Sequence, residues 1–280
     1  MIWFFPLAAA FATAAGLVYD KVILSRFKLD YRVFTVFLFF FLFLVTIPVA
    51  LWWGRADVAI FQPVYLIFLF LVVFLAVIWN LLLYRAVASE KLVEVELIFM
   101  STPLVIVLLA ALFLPAERDL KIFLPAIFAT LALLWAHLKK HHLDFSKQQK
   151  GLLVAIVLIG LETILVKKLL AVYSPPLLYL ARSGLIFLIL LLFLRAPKWK
   201  IKPRATWGIF KVAIVGMAQM ILTYFGYQLA GVSLTTLILV LAPVLIYLFS
   251  VVFLKEKLTP KHIVSFVIIL ASIIYATALN

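Results

Sequence analysis

Apolar runs of about 20 residues recur along the whole chain, and this recurrence constrains the fold more than any motif does. A hydrocarbon core about 30 Å thick is crossed by about 20 residues of helix rising 1.5 Å each. Ten such runs are predicted, at 3–24, 33–53, 64–84, 92–114, 120–138, 151–171, 177–194, 208–229, 232–254 and 262–279. They are continuously apolar, whereas membrane barrel strands would be shorter and alternate in polarity, so they read as helices. The chain is therefore expected to be an all-α integral membrane protein of ten transmembrane helices. Its 68% of hydrophobic and 13% of charged residues agree, since a soluble domain carries about 25% charged residues to keep its surface wet. The 12 prolines and 9 glycines are scattered through the runs and not pooled in linkers, which predicts a single membrane domain. No basic region precedes the apolar run that begins Met1-Ile-Trp-Phe-Phe-Pro6, so a cleaved signal peptide is not expected.

A net charge of +14 would suggest a nucleic-acid partner in a soluble protein. Here Lys and Arg lie between the apolar runs, as loop charge does, and no nucleic acid is expected. The loops after the odd-numbered runs hold 19 Lys or Arg, those after the even-numbered runs hold 5, and Arg182 lies inside a run. The positive-inside rule then places the odd loops in the cytoplasm and both termini outside it. The predicted location is a multi-pass plasma (inner) membrane.

The chain also resembles itself. A shift of 140 residues lays 84–136 on 224–276 and pairs Tyr84 with Tyr224, Pro103 with Pro243, Lys121 with Lys261 and Trp135 with Tyr275. Near the start of each half a shift of 146 pairs Lys21 with Lys167. The predicted organisation is one five-helix repeat at 1–145 and a second at 146–280. An odd number of helices per repeat makes the second enter the membrane from the opposite side, giving inverted repeats, which mark many transporters.

Residues 223–276, TYFGYQLAGVSLTTLILVLAPVLIYLFSVVFLKEKLTPKHIVSFVIILASIIYA, follow an order of features found in a known family. A tyrosine-bearing helix end leads to a small-residue stretch, a helix with central Pro243, a Glu-containing loop and a closing helix. Residues 81–136, LLLYRAVASEKLVEVELIFMSTPLVIVLLAALFLPAERDLKIFLPAIFATLALLWA, repeat it more loosely. The chain resembles the EamA family of the drug/metabolite transporter superfamily. The resemblance implies export or other transport of amino acids, metabolites or toxic compounds. It also implies a central cavity between the halves, lined chiefly by helices 1, 3, 4, 6, 8 and 9. The first half departs from the pattern where Glu90, Lys91, Glu94 and Glu96 stand against Val232-Ser233-Leu234-Thr235-Thr236 of the second half.

Ionisable groups deep in an apolar run are costly and face a cavity or a partner. Glu162 and Arg182 lie ten residues either side of Val172, so a turn there brings them to similar depth on antiparallel helices. One reading is a structural pair that staples the hairpin. The other is functional: Glu162 takes a proton or cationic group and Arg182 holds an anion. Trp79 and Asn80 fall at the repeat positions of Gln219 and Met220, with Tyr84 and Tyr224 following. Trp79, Asn80, Tyr84, Gln219 and Tyr224 are accordingly the candidate solute-binding residues, although a mid-membrane amide can equally bond a neighbouring helix. Glu94 and Glu96 are either a vestibule for cationic solutes or, with Glu90 and Lys91, a solvated helix end. Lys21, Lys167 and Lys168 read as snorkelling side chains. Pro103 and Pro243 each remove a backbone donor and can bend their helices toward a cavity.

His137 and His141 have the i, i+4 spacing of metal ligands, with His142 and Asp144 nearby, but Lys139 and Lys140 beside them disfavour a cation, and no metal is expected. With no cysteine there is no thiolate site or disulfide. No Walker loop, nucleophile elbow or HExxH helix occurs, so neither an enzyme nor a cofactor is expected. The function read from the sequence is secondary transport of a small solute by alternating access, driven by a proton gradient or a solute gradient, with membrane lipid as surroundings. The alternatives are a passive channel, an intramembrane enzyme on a lipid-linked substrate and a non-transporting scaffold.

Overall fold

The computed structural model describes residues 3–27, 29–90, 95, 98–137, 146–194, 201–245 and 260–278. These residues form helices and no strand. The helices are α1 (Phe4–Phe27), α2 (Tyr31–Trp53), α3 (Pro63–Ser89), α4 (Thr102–Phe113), α5 (Leu120–His137), α6 (Lys147–Leu169), α7 (Pro175–Phe193), α8 (Pro203–Ala230), α9 (Val232–Leu239) and α10 (Pro260–Ala278). Five are long and apolar enough to cross a membrane: α2, α3, α7, α8 and the Phe4–Leu24 portion of α1. Thr102–Phe113, Leu120–Trp135, Val232–Leu245 and Ile263–Ala278 are shorter apolar helices.

Local chemistry sets where these helices begin. Asp30 accepts from the Arg32 amide at 2.7 Å and starts α2. Ser146 and Gln149 form a reciprocal capping box at α6, which satisfies two amides that have no partner within the helix. Pro63, Pro175 and Pro203 open α3, α7 and α8, where a missing N–H costs nothing. Helix α3 runs five residues beyond the expected limit of its apolar run, to Ser89. The added turn still buries Ala86 and Val87 in the core, while Arg85 and Ser89 are exposed.

Outward faces are as apolar as the interior. Ile67, Phe70 and Phe74 of α3, Leu188 and Leu192 of α7, and Ile263, Val267 and Ile274 of α10 are all exposed. A surface of that kind suits lipid and not water. Inside, α1, α2, α3, α6, α7 and α8 share one core built around Phe34, Phe39, Leu152, Leu178 and Ile186. A second core, with Leu133, Leu237 and Ile269, joins α4, α5, α9 and α10. The most extensive helix pairs are α3 with α6, α1 with α8, α5 with α10 and α2 with α7.

Loops meet in pairs. The α2–α3 connection runs against the α6–α7 turn through an isolated bridge between Ala56 and Tyr173, with Asp57 N–H donating to Val172 O at 2.9 Å. Ser146, before α6, donates its hydroxyl to Glu90 Oε1, after α3, at 2.7 Å. Glu117, between α4 and α5, is buried and accepts from the Val232 and Ser233 amides at 2.8 and 2.9 Å. Those amides open α9, so the carboxylate caps a helix 115 residues away in sequence and faces its positive end. Gly231 makes the cap possible. Its φ of +87° is open to glycine, and a Cβ there would lie 2.8 Å from Glu117 Oε1.

Candidate functional site

A cavity of about 210 Å³ lies among these helices. Thr13 and Leu17 of α1, Trp79 of α3, Thr102, Pro103 and Ile106 of α4, and Leu133 of α5 form part of its wall. Glu162 and Thr163 of α6, Gln219, Thr223, Tyr224 and Tyr227 of α8, and Thr236 of α9, followed by Pro243, form the rest. Helices 1, 3, 4, 6, 8 and 9, implied by the family resemblance, all contribute, with one residue from α5. Both prolines singled out in the sequence, Pro103 and Pro243, are in the wall.

Its charged corner is a three-residue cluster. Arg182 Nε donates to Glu162 Oε1 at 2.6 Å, with Arg182 only 2% exposed. The Trp79 indole N–H donates to Glu162 Oε2, and the Arg182 guanidinium lies 5.8 Å from the centroid of the Trp79 ring. Both oxygens of Glu162 are thus engaged, one by a cation and one by a neutral donor. Burying a carboxylate is tolerable only with such partners, and the guanidinium gains a second attraction over the indole face. The hairpin joining α6 and α7 through Val172 brings the pair together at the depth that residue counting predicts.

Hydroxyls ring the remaining wall. Thr102 Oγ1 and the Tyr224 hydroxyl are buried with no hydrogen-bond partner among the described residues, although both residues line the cavity. Tyr224 is held edge-on to Tyr179, ring centroids 6.0 Å apart. Thr13, Thr163 and Thr223 instead donate to carbonyls one turn back in their own helices, at 2.8–2.9 Å.

The candidates from the sequence divide. Trp79, Gln219, Tyr224 and Glu162 line the cavity, and Arg182 stands behind Glu162. Asn80 and Tyr84 do not. Asn80 is turned about 100° around α3 from Trp79 and donates its amide to Ala76 O at 2.8 Å. Tyr84 is buried edge-on against Phe34, ring centroids 5.1 Å apart. Lys167 donates to Tyr227 O at 2.5 Å, so it bonds α8 and does not simply reach for the interface. Lys168 is exposed, its ammonium 5.5 Å from the Phe68 ring centroid. Glu94, Glu96, His141, His142, Asp144 and the side chains of Lys21 and His137 lie outside the described residues. Sequence reasoning missed Thr102, which the Ser-Thr-Pro start of α4 could have signalled. It also missed Asp20, a carboxylate within the first apolar run that was overlooked beside Lys21.

An apolar-surfaced helical bundle around a central cavity with a buried charge cluster defines a multi-pass membrane protein. The model of the EamA-like transporter family matches residues 150–278. That matched stretch belongs with a family of the drug/metabolite transporter superfamily, whose members are membrane transporters and not enzymes. A solved crystal structure is similar with a TM-score of 0.69 at 18% identity. That likeness, of fold alone, covers 97% of this chain and 98% of the other. No curated protein matches the sequence.

Proposed function

We propose that this chain is a secondary transporter that moves a small amphipathic solute by alternating access between two inverted five-helix halves, 1–145 and 146–280. The observation that carries the reading is the cavity itself, whose wall draws on helices of both halves and joins aromatic and aliphatic surface to a few polar groups. Such a composition suits a small ligand held by apolar contact and oriented by hydrogen bonds. The unpartnered hydroxyls of Thr102 and Tyr224 and the Gln219 amide supply the orienting groups.

Helix pairing supports the inverted halves. Under the repeat, helix 1 corresponds to helix 6 and helix 3 to helix 8, so a twofold operation exchanges the pair α1–α8 with the pair α6–α3. Those are the two most extensive pairs of the bundle. The loop contacts support the crossing pattern, because each joins loops assigned to the same side: the second with the sixth, the fourth with the eighth, the third with the fifth. In this reading both termini are extracytoplasmic.

Counterflow in proteoliposomes tests the function. Preloading with unlabelled solute from a panel of amino acids and small amphipathic metabolites should accelerate uptake of the labelled solute. Trp79→Ala and Gln219→Ala should reduce that uptake, while a channel would show no acceleration. Uptake without acceleration for every permeant solute would overturn the carrier reading.

A further inference from the structure

A second carboxylate lies close to the cavity and is treated quite differently from Glu162. Asp20 is in α1, 9% exposed, and its Oδ1 has no hydrogen-bond partner among the described residues. Thr13, Leu17 and Asp20 are spaced i, i+4, i+7 and share one face of the helix. As Thr13 and Leu17 are cavity wall, that face carries Asp20 about 4.5 Å along the axis past Leu17, beneath the cavity on the side of the basic α1–α2 turn.

The groups around it offer no counter-charge among the described residues. Helix α3 brings Tyr84, a neutral phenol within electrostatic reach of the carboxylate. Helix α8 runs antiparallel to α1, with Gly16 beside Gln219 and Gly208 beside Ile23, so the residue level with Asp20 is close to Lys211. That lysine is exposed and holds its ammonium 5.7 Å from the Trp207 ring centroid. Helix α9, Val-Ser-Leu-Thr-Thr-Leu-Ile-Leu, carries no ionisable side chain. On α1 itself the basic residues are Lys21 and Arg26, and Arg26 is exposed. An ionised carboxylate in these surroundings would lose its hydration and gain no partner among the described residues, whereas the neutral acid loses far less.

We propose that Asp20 is a proton-binding site of this chain: an aspartic acid that holds a proton while sealed beneath the cavity and releases it reversibly to water on the basic side of the bundle. Glu162, with both oxygens engaged by Arg182 and Trp79, is then a fixed part of the wall. Under the transporter reading above, on which this consequence rests, Asp20 is the group through which a proton gradient acts.

Dicyclohexylcarbodiimide tests the site without knowledge of the solute, because it adds to protonated carboxylic acids in apolar surroundings and leaves a stable N-acylurea. The full chain, purified in detergent, is treated with the reagent and the adduct mapped by peptide mass spectrometry. Labelling should fall on Asp20, decline at least about tenfold between about pH 6 and about pH 9, and return on re-acidification. Asp20→Asn should abolish it, while Asp20→Glu and Glu162→Gln retain it. The Asp20→Glu arm guards against an Asn variant that fails to fold, and mapping in the unaltered chain depends on no variant at all. An adduct on Glu162 in place of Asp20, labelling unaffected by pH, or no labelling of Asp20 would each overturn the proposal. Loss of counterflow with intact Asp20 labelling would instead overturn the transporter reading and leave the proton site standing.

Discussion

Helices α1 and α6 correspond in the proposed repeat, and each carries one buried carboxylate near the cavity, yet the two are handled in opposite ways. On α6, Glu162 is held by Arg182 at 2.6 Å and by the Trp79 indole. On α1, Asp20 has an oxygen with no partner among the described residues. Burial alone therefore does not distinguish a structural charge from a mobile proton. The partners do: a buried carboxylate beside a guanidinium has its charge compensated in place, whereas one without a counter-charge is far less costly to bury as the neutral acid.

The largest expected effect comes from separating the paired carboxylate from its partner. Arg182→Met should destabilise the chain by about 3–5 kcal/mol, because it leaves Glu162 buried and uncompensated. The double variant Arg182→Met/Glu162→Gln should recover much of that loss in thermal melting in detergent. A double variant as unstable as the summed singles would remove the pair from the comparison.

Glu117 extends the comparison to a carboxylate satisfied by backbone. Replacing it with Gln should cost about 1.5–3 kcal/mol, the range for a hydrogen bond to a charged group, measured by the same melting. A smaller effect follows at the solute site. Gln219→Ala should weaken binding of whichever solute shows counterflow by about 1 kcal/mol, and Asn80→Ala should leave affinity unchanged, because its amide is already spent on Ala76. The smallest effect on stability is expected for Asp20→Asn, an amide nearly isosteric with the neutral acid, which should shift stability by no more than about 0.5 kcal/mol. A large loss there would mean that Asp20 is ionised and paired, and the contrast with Glu162 would collapse.

The helices were legible because length and apolarity alone specify them: the second run, 33–53, lies within α2 (Tyr31–Trp53), and the seventh, 177–194, nearly coincides with α7 (Pro175–Phe193). The proximity of Glu162 and Arg182 was also legible, since a hairpin converts equal counts from its turn into equal depth. Direction around a helix was not. Every apolar neighbour of Asn80 is as hydrophobic as the next, so no amphipathic stripe shows that Trp79 faces the cavity and Asn80 its own backbone. Repeat position does not carry orientation either: Tyr84 packs on Phe34, while its counterpart Tyr224 lines the cavity. The Glu117 cap joins residues 115 apart, and no local pattern encodes a contact of that span.

That cap constrains motion as well as stability. In the proposed orientation it lies on the outer face and ties the α4–α5 connection of one half to the start of α9 in the other, so under the transporter reading it would be a clasp that opens before that face admits water. A chain with Glu117→Gln should dwell longer with its outer entrance open. Because the sequence contains no cysteine, a single cysteine introduced at Leu239 in the cavity wall would report that dwell time through its rate of reaction with an impermeant thiol reagent added from outside, free of background.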